Sequence, residues 1–229
     1  MTKENGKQFV IPSKKLNTIV TTLKTYSVEP IMTGEIVRRC LYKVNNEGPQ
    51  TDDNYKWLRI MEGDVECDGE NRITITYKDK KKDMSGVDSA LLTVDNFDDA
   101  THLFELLHFE KTSYQENKRF KYRFTVPPEG LEYLIRFDVW PKIEEFVFVT
   151  LISKSVIDDD DIDDVIAKLY LEEENICTSE KYDVDKIYKL KFGVPASQIP
   201  YIAFEFPLFD KENQELKIAK GYDINGISI

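Results

Sequence analysis

The chemically promising residues of this chain are cations placed two apart in β-prone runs. Lys118–Val126 (KRFKYRFTV) sets Arg119, Lys121 and Arg123 at alternate positions, and Leu131–Val139 sets Arg136 two residues before Asp138. Alternate residues of a strand share a face, so each run presents its charges together. Arg59 belongs to a Trp57–Arg59–Met61 alternation, and Arg72–Lys78 (RITITYK) aligns Thr74, Thr76 and Lys78. In Glu35–Val44, Arg38 alternates with Cys40, and Arg39 with Lys43. Cations converging from several strands hold phosphate oxygens by charge-assisted hydrogen bonds, with arginine giving bidentate contacts. The candidate set is Arg38, Arg59, Lys78, Arg119, Lys121, Arg123 and Arg136. The same alternation also describes the solvated face of a half-exposed sheet, and periodicity does not say which face lies inside.

Other reactive types are sparse. Asp138 reads as an ion-pair partner of Arg136 or Lys121, the other reading being a metal ligand or general base. Three cysteines (Cys40, Cys67, Cys177) stand far apart with no CxxC, and there are two histidines, His102 and His108, so no zinc site is expected. The thiols read as reduced structural residues. The acidic run from Asp158 to Asp164 lacks the glycine and terminal glutamate of a calcium loop and reads as a helix start favoured by the dipole. Tyr42, Tyr77 and Tyr122 have rings suited to stacking on a base, although packing is the commoner role of tyrosine in a sheet.

The elements that must position these residues are mostly strands. A short extended run (7–12) precedes Ser13, which reads as the N-cap of a helix carrying Leu16, Ile19, Val20 and Leu23. Strands are then expected at Glu35–Val44, Tyr55–Met61, Arg72–Lys78, Ser89–Val94, Lys118–Val126, Leu131–Val139 and Glu145–Ile152. A helix is expected at Asp95–Leu107 and another at Asp158–Glu173. Pro127-Pro128-Glu129-Gly130 marks a turn between two of the strands. About eight short strands with flanking helices point to a barrel or sandwich.

Charge divides the chain. Residues 1–157 hold 23 Lys/Arg against 25 Asp/Glu, whereas 158–229 hold 8 against 17, which accounts for most of the formal charge of −11. The balance argues against general nucleic-acid binding and leaves the first two thirds free to build a local basic site. No long apolar run is present, so no membrane span or signal peptide is expected, and the chain reads as cytoplasmic.

The order of these motifs resembles the CYTH-domain proteins, or triphosphate tunnel metalloenzymes, which include class IV adenylate cyclases, tripolyphosphatases and thiamine triphosphatases. ITITYK is similar to the family strand ending in Thr-x-Lys, and VDNFDDATHLFELLHFEK to its strand-then-helix element. ENKRFKYRF resembles its basic K-x-R strand, and IRFDVWPKIEEFVFVTL its Asp, Trp-Pro and late strand. Asp158–Leu171 and KYDVDKIYKLKFG fit its closing helix and tail. The likeness covers residues 4–193 and is clearest over 72–193. It implies an α+β, mainly β fold: a closed eight-stranded antiparallel β-barrel, or tunnel, with flanking helices. Residues 1–193 then form the tunnel barrel, and 194–229 a C-terminal extension packing on it.

The departures bear on function. The family's first-strand E-x-E-x-K corresponds to Glu4-Asn5-Gly6-Lys7-Gln8, its late E-x-E to Phe148 and Thr150, and its mid-barrel acidic pair falls within SALLTV. Those carboxylates hold divalent ions in the family, and magnesium needs such hard oxygen ligands. A lumen without them that keeps Arg59, Lys78, Arg119, Lys121 and Arg136 is expected to bind a nucleotide or polyphosphate, sequestering or sensing it, with no cofactor required. The enzymatic alternative is a metal-dependent triphosphate hydrolase or nucleotidyl cyclase, with magnesium or manganese on Glu4, Asp138 and Glu35. A second alternative is a protein-interaction module with a plugged lumen, working through the apolar stretch Tyr201–Phe209. The reading allows a homodimer.

Overall fold

The computed structural model describes residues 6–44, 55–63, 70–80, 88–127, 130–153, 159–171, 177–178, 182–205 and 212–213. The chain divides into two compact units. The first comprises the described residues of Met1–Glu35 and Asn117–Pro195, the second those of Ile36–Glu116 and Ala196–Leu216.

In the first unit β1 (Gly6–Pro12) lies antiparallel to β8 (Phe146–Ser153), β8 to β7 (Leu131–Val139), and β7 to the later part of β6 (Lys111–Val126). A two-residue strand, β9 (Cys177–Thr178), closes onto β1. Register fixes which residues share a face. Phe137 lies between Phe120 and Val149, and Ile135 between Tyr122 and Leu151. This face packs with Phe9, Ile11, Phe124 and Val126 into a core. The core is covered by Ile19 and Leu23 of α1 (Leu16–Leu23) and by Ile162, Val165, Ile166 and Leu169, which belong to α3 (Asp159–Lys168) and its C-terminal turn. The acidic start of α3 is tied to β1 through Lys7 and Asp163. α4 (Val184–Phe192) is capped by Asp183 at its start and ended by Gly193 in the left-handed region.

Ser13 does not cap α1. It opens a short 3-10 turn, and Lys15 stands at the cap position and makes no side-chain capping bond. The Ser13 amide donates instead to Glu145 O at 2.8 Å.

In the second unit β3 (Tyr55–Gly63) pairs with the later part of β2 (Ser27–Tyr42) and with β4 (Arg72–Lys80), which pairs with β5 (Asp88–Val94). α2 (Phe97–Leu106) covers one face of this sheet, where Cys40, Tyr42, Leu58 and Ile60 meet Phe97, Ala100 and Phe104. Asn96 caps α2 by accepting from the amides of Asp98 and Asp99 at 2.8 and 3.1 Å. The described part of the extension packs on β6: β10 (Tyr201–Ile202) runs parallel to Tyr114–Gln115, and Tyr201 stacks on Tyr114 with ring centroids 4.8 Å apart. Ile202 and Ala203 are buried, so this part of the expected apolar working surface is interior.

The hydrogen-bonded strand order is β5-β4-β3-β2-β6-β7-β8-β1-β9, with β10 beside β6. Among the described residues no pairing joins the two ends, so the sheet is open where a closed eight-stranded barrel was expected. Among the described residues it has ten strands because β9 and β10 are two-residue pieces with no readable periodicity. Two strands are also longer than their apolar runs suggest. β2 begins at Ser27, passing through Pro30 and Gly34, and β6 begins at Lys111. Among the described residues no helix is long and apolar enough to cross a membrane.

Gly34 sustains β2 through a backbone that other residues rarely adopt (φ +119°), and an added Cβ would meet the Phe120 ring at 3.1 Å. Gly34→Ala is therefore expected to cost about 1–3 kcal/mol in urea unfolding. Cys40 is 2 % exposed, and burial pushes its thiol from an ordinary 9.0 up to about 11. Because the folded protein holds this proton more tightly than the unfolded chain, the associated stability is full below pH 9 and declines as pH rises towards 11. Native protein should resist alkylation at Cys40 at pH 8 and be modified there once urea unfolds it, as read by peptide mass spectrometry.

Candidate functional site

The face of the first unit opposite its apolar core is polar and shielded from water. β6 contributes Asn117, Arg119, Lys121 and Arg123 to it, and β7 contributes Arg136 and Asp138. Register sets Arg119 beside Asp138, Lys121 beside Arg136, and Arg136 beside Thr150 of β8. Lys121 is 1 % exposed and Arg119 3 %. Taking charges this far from water is costly unless they are paired and hydrogen-bonded.

Asp138 supplies much of that compensation. Its Oδ1 accepts from Arg119 Nε at 2.7 Å and from Asn117 Nδ2 at 2.8 Å, and its Oδ2 accepts from Arg119 Nη2 at 3.0 Å. Arg136 Nε stands 3.1 Å from the same Oδ2, and Arg136 Nη2 donates to Thr150 Oγ1 at 2.9 Å. The bidentate Arg119 contact fixes the plane of the carboxylate. Among the described residues this face gathers Arg119, Lys121 and Arg136 around one carboxylate. Such an arrangement orients several donors by protein contacts, which is the preorganisation that holding an anion requires.

The candidates fall into four groups. Arg119, Lys121 and Arg136 come together, with Asp138 paired to Arg136 as the alternation suggested. Arg123 shares the parity but sits at the margin, 2.8 Å from Glu29 and 3.5 Å from Glu132. Arg59 and Lys78 belong to the second unit, where Arg59 lies across from Thr76 and Trp57 across from Lys78. The hydroxyls of Thr74 and Thr76 on that face are buried, with no hydrogen-bond partner among the described residues.

Arg38 is on the other side of β2. Its guanidinium lies 4.3 Å from the Phe97 ring centroid under α2, and pairs with Glu62 and, at 3.3 Å, with Asp98. Arg39 has the parity that points with Arg59, since it registers with Met61 and its neighbour Leu41 with Arg59. Sequence reasoning passed over Asn117, whose signal was its spacing of two from Arg119, and marked Thr150 only as a departure from the family's late carboxylate, whereas it accepts from Arg136.

Among the described residues, those of this face do not fit a divalent cation. Both oxygens of Asp138 are engaged by cations and an amide, and Phe148 and Thr150 stand where β8 would have to supply further oxygen ligands. Glu35 turns back to the amides of Thr33 and Gly34 at 2.6 and 3.1 Å. Glu4 lies outside the described residues.

No protein-family model matches the chain, and no curated protein does. Solved structures do show similarity. A conserved hypothetical protein of Pyrococcus furiosus is 19% identical, with 76% of this chain and 95% of that one covered, at a TM-score of 0.47. A Pyrococcus horikoshii protein is 17% identical over 76% and 94%, also at 0.47. HpAC1 of Hippeastrum, a candidate adenylyl cyclase said to have a dominant triphosphatase activity, is 9% identical over 74% and 87%, at 0.45. Likeness at this level assigns neither an activity nor a ligand to this chain.

Removing the anchor carboxylate should expose the cost of the buried cations. Asp138→Ala is expected to destabilise the protein by about 3–5 kcal/mol, read from chemical denaturation, because Arg119 then remains buried without its counter-charge.

Proposed function

We propose that this chain binds a phosphate-rich anion, a nucleotide or short polyphosphate, and does so without a metal ion. The observation that carries this reading is the burial of Arg119 and Lys121 on one face with Arg136 and the carboxylate of Asp138. Cations gathered in surroundings of low polarity exert a strong Coulomb attraction on an incoming anion. A phosphate chain supplies several oxygens to such donors, which a monovalent ion does not. The resemblance to the triphosphate tunnel family is in keeping with this ligand class, and the loss of its metal-binding carboxylates with binding rather than turnover. A closed tunnel, with residues 1–193 as its body, is the architecture that the resemblance adds to the reading.

The test is thermal stabilisation of the purified protein by tripolyphosphate and nucleoside triphosphates, each in EDTA and in magnesium. A ligand at 100 times its dissociation constant adds about 2.7 kcal/mol of stability. Stabilisation in EDTA with the ligand recovered intact is the expected result. Lys121→Met, which keeps the aliphatic stem and removes the charge, should weaken that binding by about tenfold or more. Turnover confined to magnesium would replace this reading with the enzymatic one, and the absence of any shift would remove the phosphate ligand altogether.

A further inference from the structure

Within the second unit, α2 covers only part of the sheet face beneath it. Cys40, Tyr42, Leu58 and Ile60 of β2 and β3 are buried in the cluster it closes. Strands lie about 4.8 Å apart and a helix with its side chains is about 10 Å across, so one helix covers roughly two strands. The same face continues over β4 and β5 without that cover. Ile75 and Tyr77 of β4 are only partly buried at the margin of the cluster. Register sets Leu92 beside Ile75 and Ala90 beside Tyr77, which places both on this face, and Leu92 is 61 % exposed.

The helix supplies the second wall. Asp98 and Glu105 reach Arg38 and Lys111 at 3.3 and 3.5 Å, which turns one flank of α2 toward β2 and β6. Leu103, and Leu107 at the C-terminal cap, stand about 200° round the helix from Glu105, on the flank toward β4 and β5. They are 50 and 58 % exposed. A helix flank and a strand floor thus bound an apolar groove, the kind of contiguous patch that marks an interaction surface. A cavity of about 510 Å³, lined in part by Tyr77, His108 and Phe109, opens at its Tyr77 end. The lysines there are answered, Lys43 by Glu110 at 2.8 Å and Lys56 by Asp79 at 3.3 Å, so the cavity suits an apolar anchor.

The rim of the groove is acidic. Asp88 lies on the same face of β5, since it registers with Asp79, and Asp99 lies one helical turn before Leu103. Both are exposed, and neither makes an ion pair among the described residues. A second copy seated here would bring these aspartates against their own counterparts, between chains that each carry a formal charge of −11. Like charges so placed disfavour self-association. A partner with cations beside an apolar stripe has the complementary pattern.

We propose that the groove between α2 and β5 is a docking surface for a basic amphipathic helix of a partner protein. The apolar stripe of that helix lies on Leu92, Leu103 and Leu107, and its lysines or arginines face Asp88 and Asp99. The inference is independent of the phosphate-binding reading.

The experiment follows fluorescence anisotropy of a labelled leucine–lysine peptide titrated with the full chain at about 0.15 M salt. Its leucines repeat at i, i+3, i+4 and i+7, forming one stripe on a helix. It should bind about tenfold or more tightly than a scrambled peptide of the same composition, and than a leucine–glutamate peptide of the same pattern. Leu103→Ser with Leu107→Ser should weaken binding by about tenfold or more, and Leu92→Ser, on the separate strand wall, should act in the same direction. Tyr170→Ser, at an exposed site of the first unit, should leave binding unchanged. Asp88→Asn with Asp99→Asn should weaken it and flatten its salt dependence. Equal binding of patterned and scrambled peptides, or binding that survives the leucine variants, would overturn the docking surface. So would a wild-type dimer in sedimentation that Leu103→Ser with Leu107→Ser dissolves, because the groove then holds a second copy.

Discussion

The contact on which the polar half of the first unit depends is the meeting of Arg119 with Asp138. A strand that buries an arginine and a lysine two residues apart cannot be stable unless something answers their charge. The answer comes from the adjacent strand at the position that register dictates. Because Asp138 also receives Asn117 and Arg136, one carboxylate orients donors from two strands at once. The opposite face of the same strands carries Phe120, Tyr122, Phe124, Ile135 and Phe137 in the core. A one-residue slip would move these side chains toward the ions and the ions into the core. Apolar packing and ion pairing therefore enforce the same register.

Much of this was legible in the sequence, and for a definite reason. KRFKYRF alternates cation and aromatic so strictly that its two faces can be separated by eye, and RFD places Arg136 and Asp138 together on the next strand. The grouping of Arg119, Lys121 and Arg136 follows from that parity. What parity does not contain is the sign of the face. In β2 adjacent arginines made the choice ambiguous, and Arg38 proved to be the one beneath α2, bound to Glu62 and Asp98, whereas Arg39 has the parity of Arg59. The acids that hold Arg38 are 24 and 60 residues away in sequence, and no local pattern announces them.

Other features were hidden by the residues that break patterns. The expected strand began at Glu35, yet β2 runs through Pro30 and Gly34, since Gly34 can take the backbone angle that the strand needs there. Lys111–Asn117 lay outside the expected strands. Its burial is explained by partners elsewhere: Ser113 and Gln115 donate to carbonyls of Ala196 and Ile199. Buried polar residues in a strand resemble loop residues until their acceptors are known. Strand closure was equally illegible, because it depends on hydrogen bonds between segments and not on the character of any one of them.

The same distant acceptors bear on the order in which the chain can mature. Ser113, Tyr114 and Gln115 wait for carbonyls more than 80 positions downstream, and the segments of the first unit intervene. During synthesis, the sheet of the second unit emerges well before the peptide that satisfies these donors. Contacts so far apart in sequence carry a loop-closure cost and form slowly. The strand containing them therefore stays incompletely satisfied until almost the whole chain has left the ribosome, and a nascent chain halted before Ala196 would keep those donors open to competing partners.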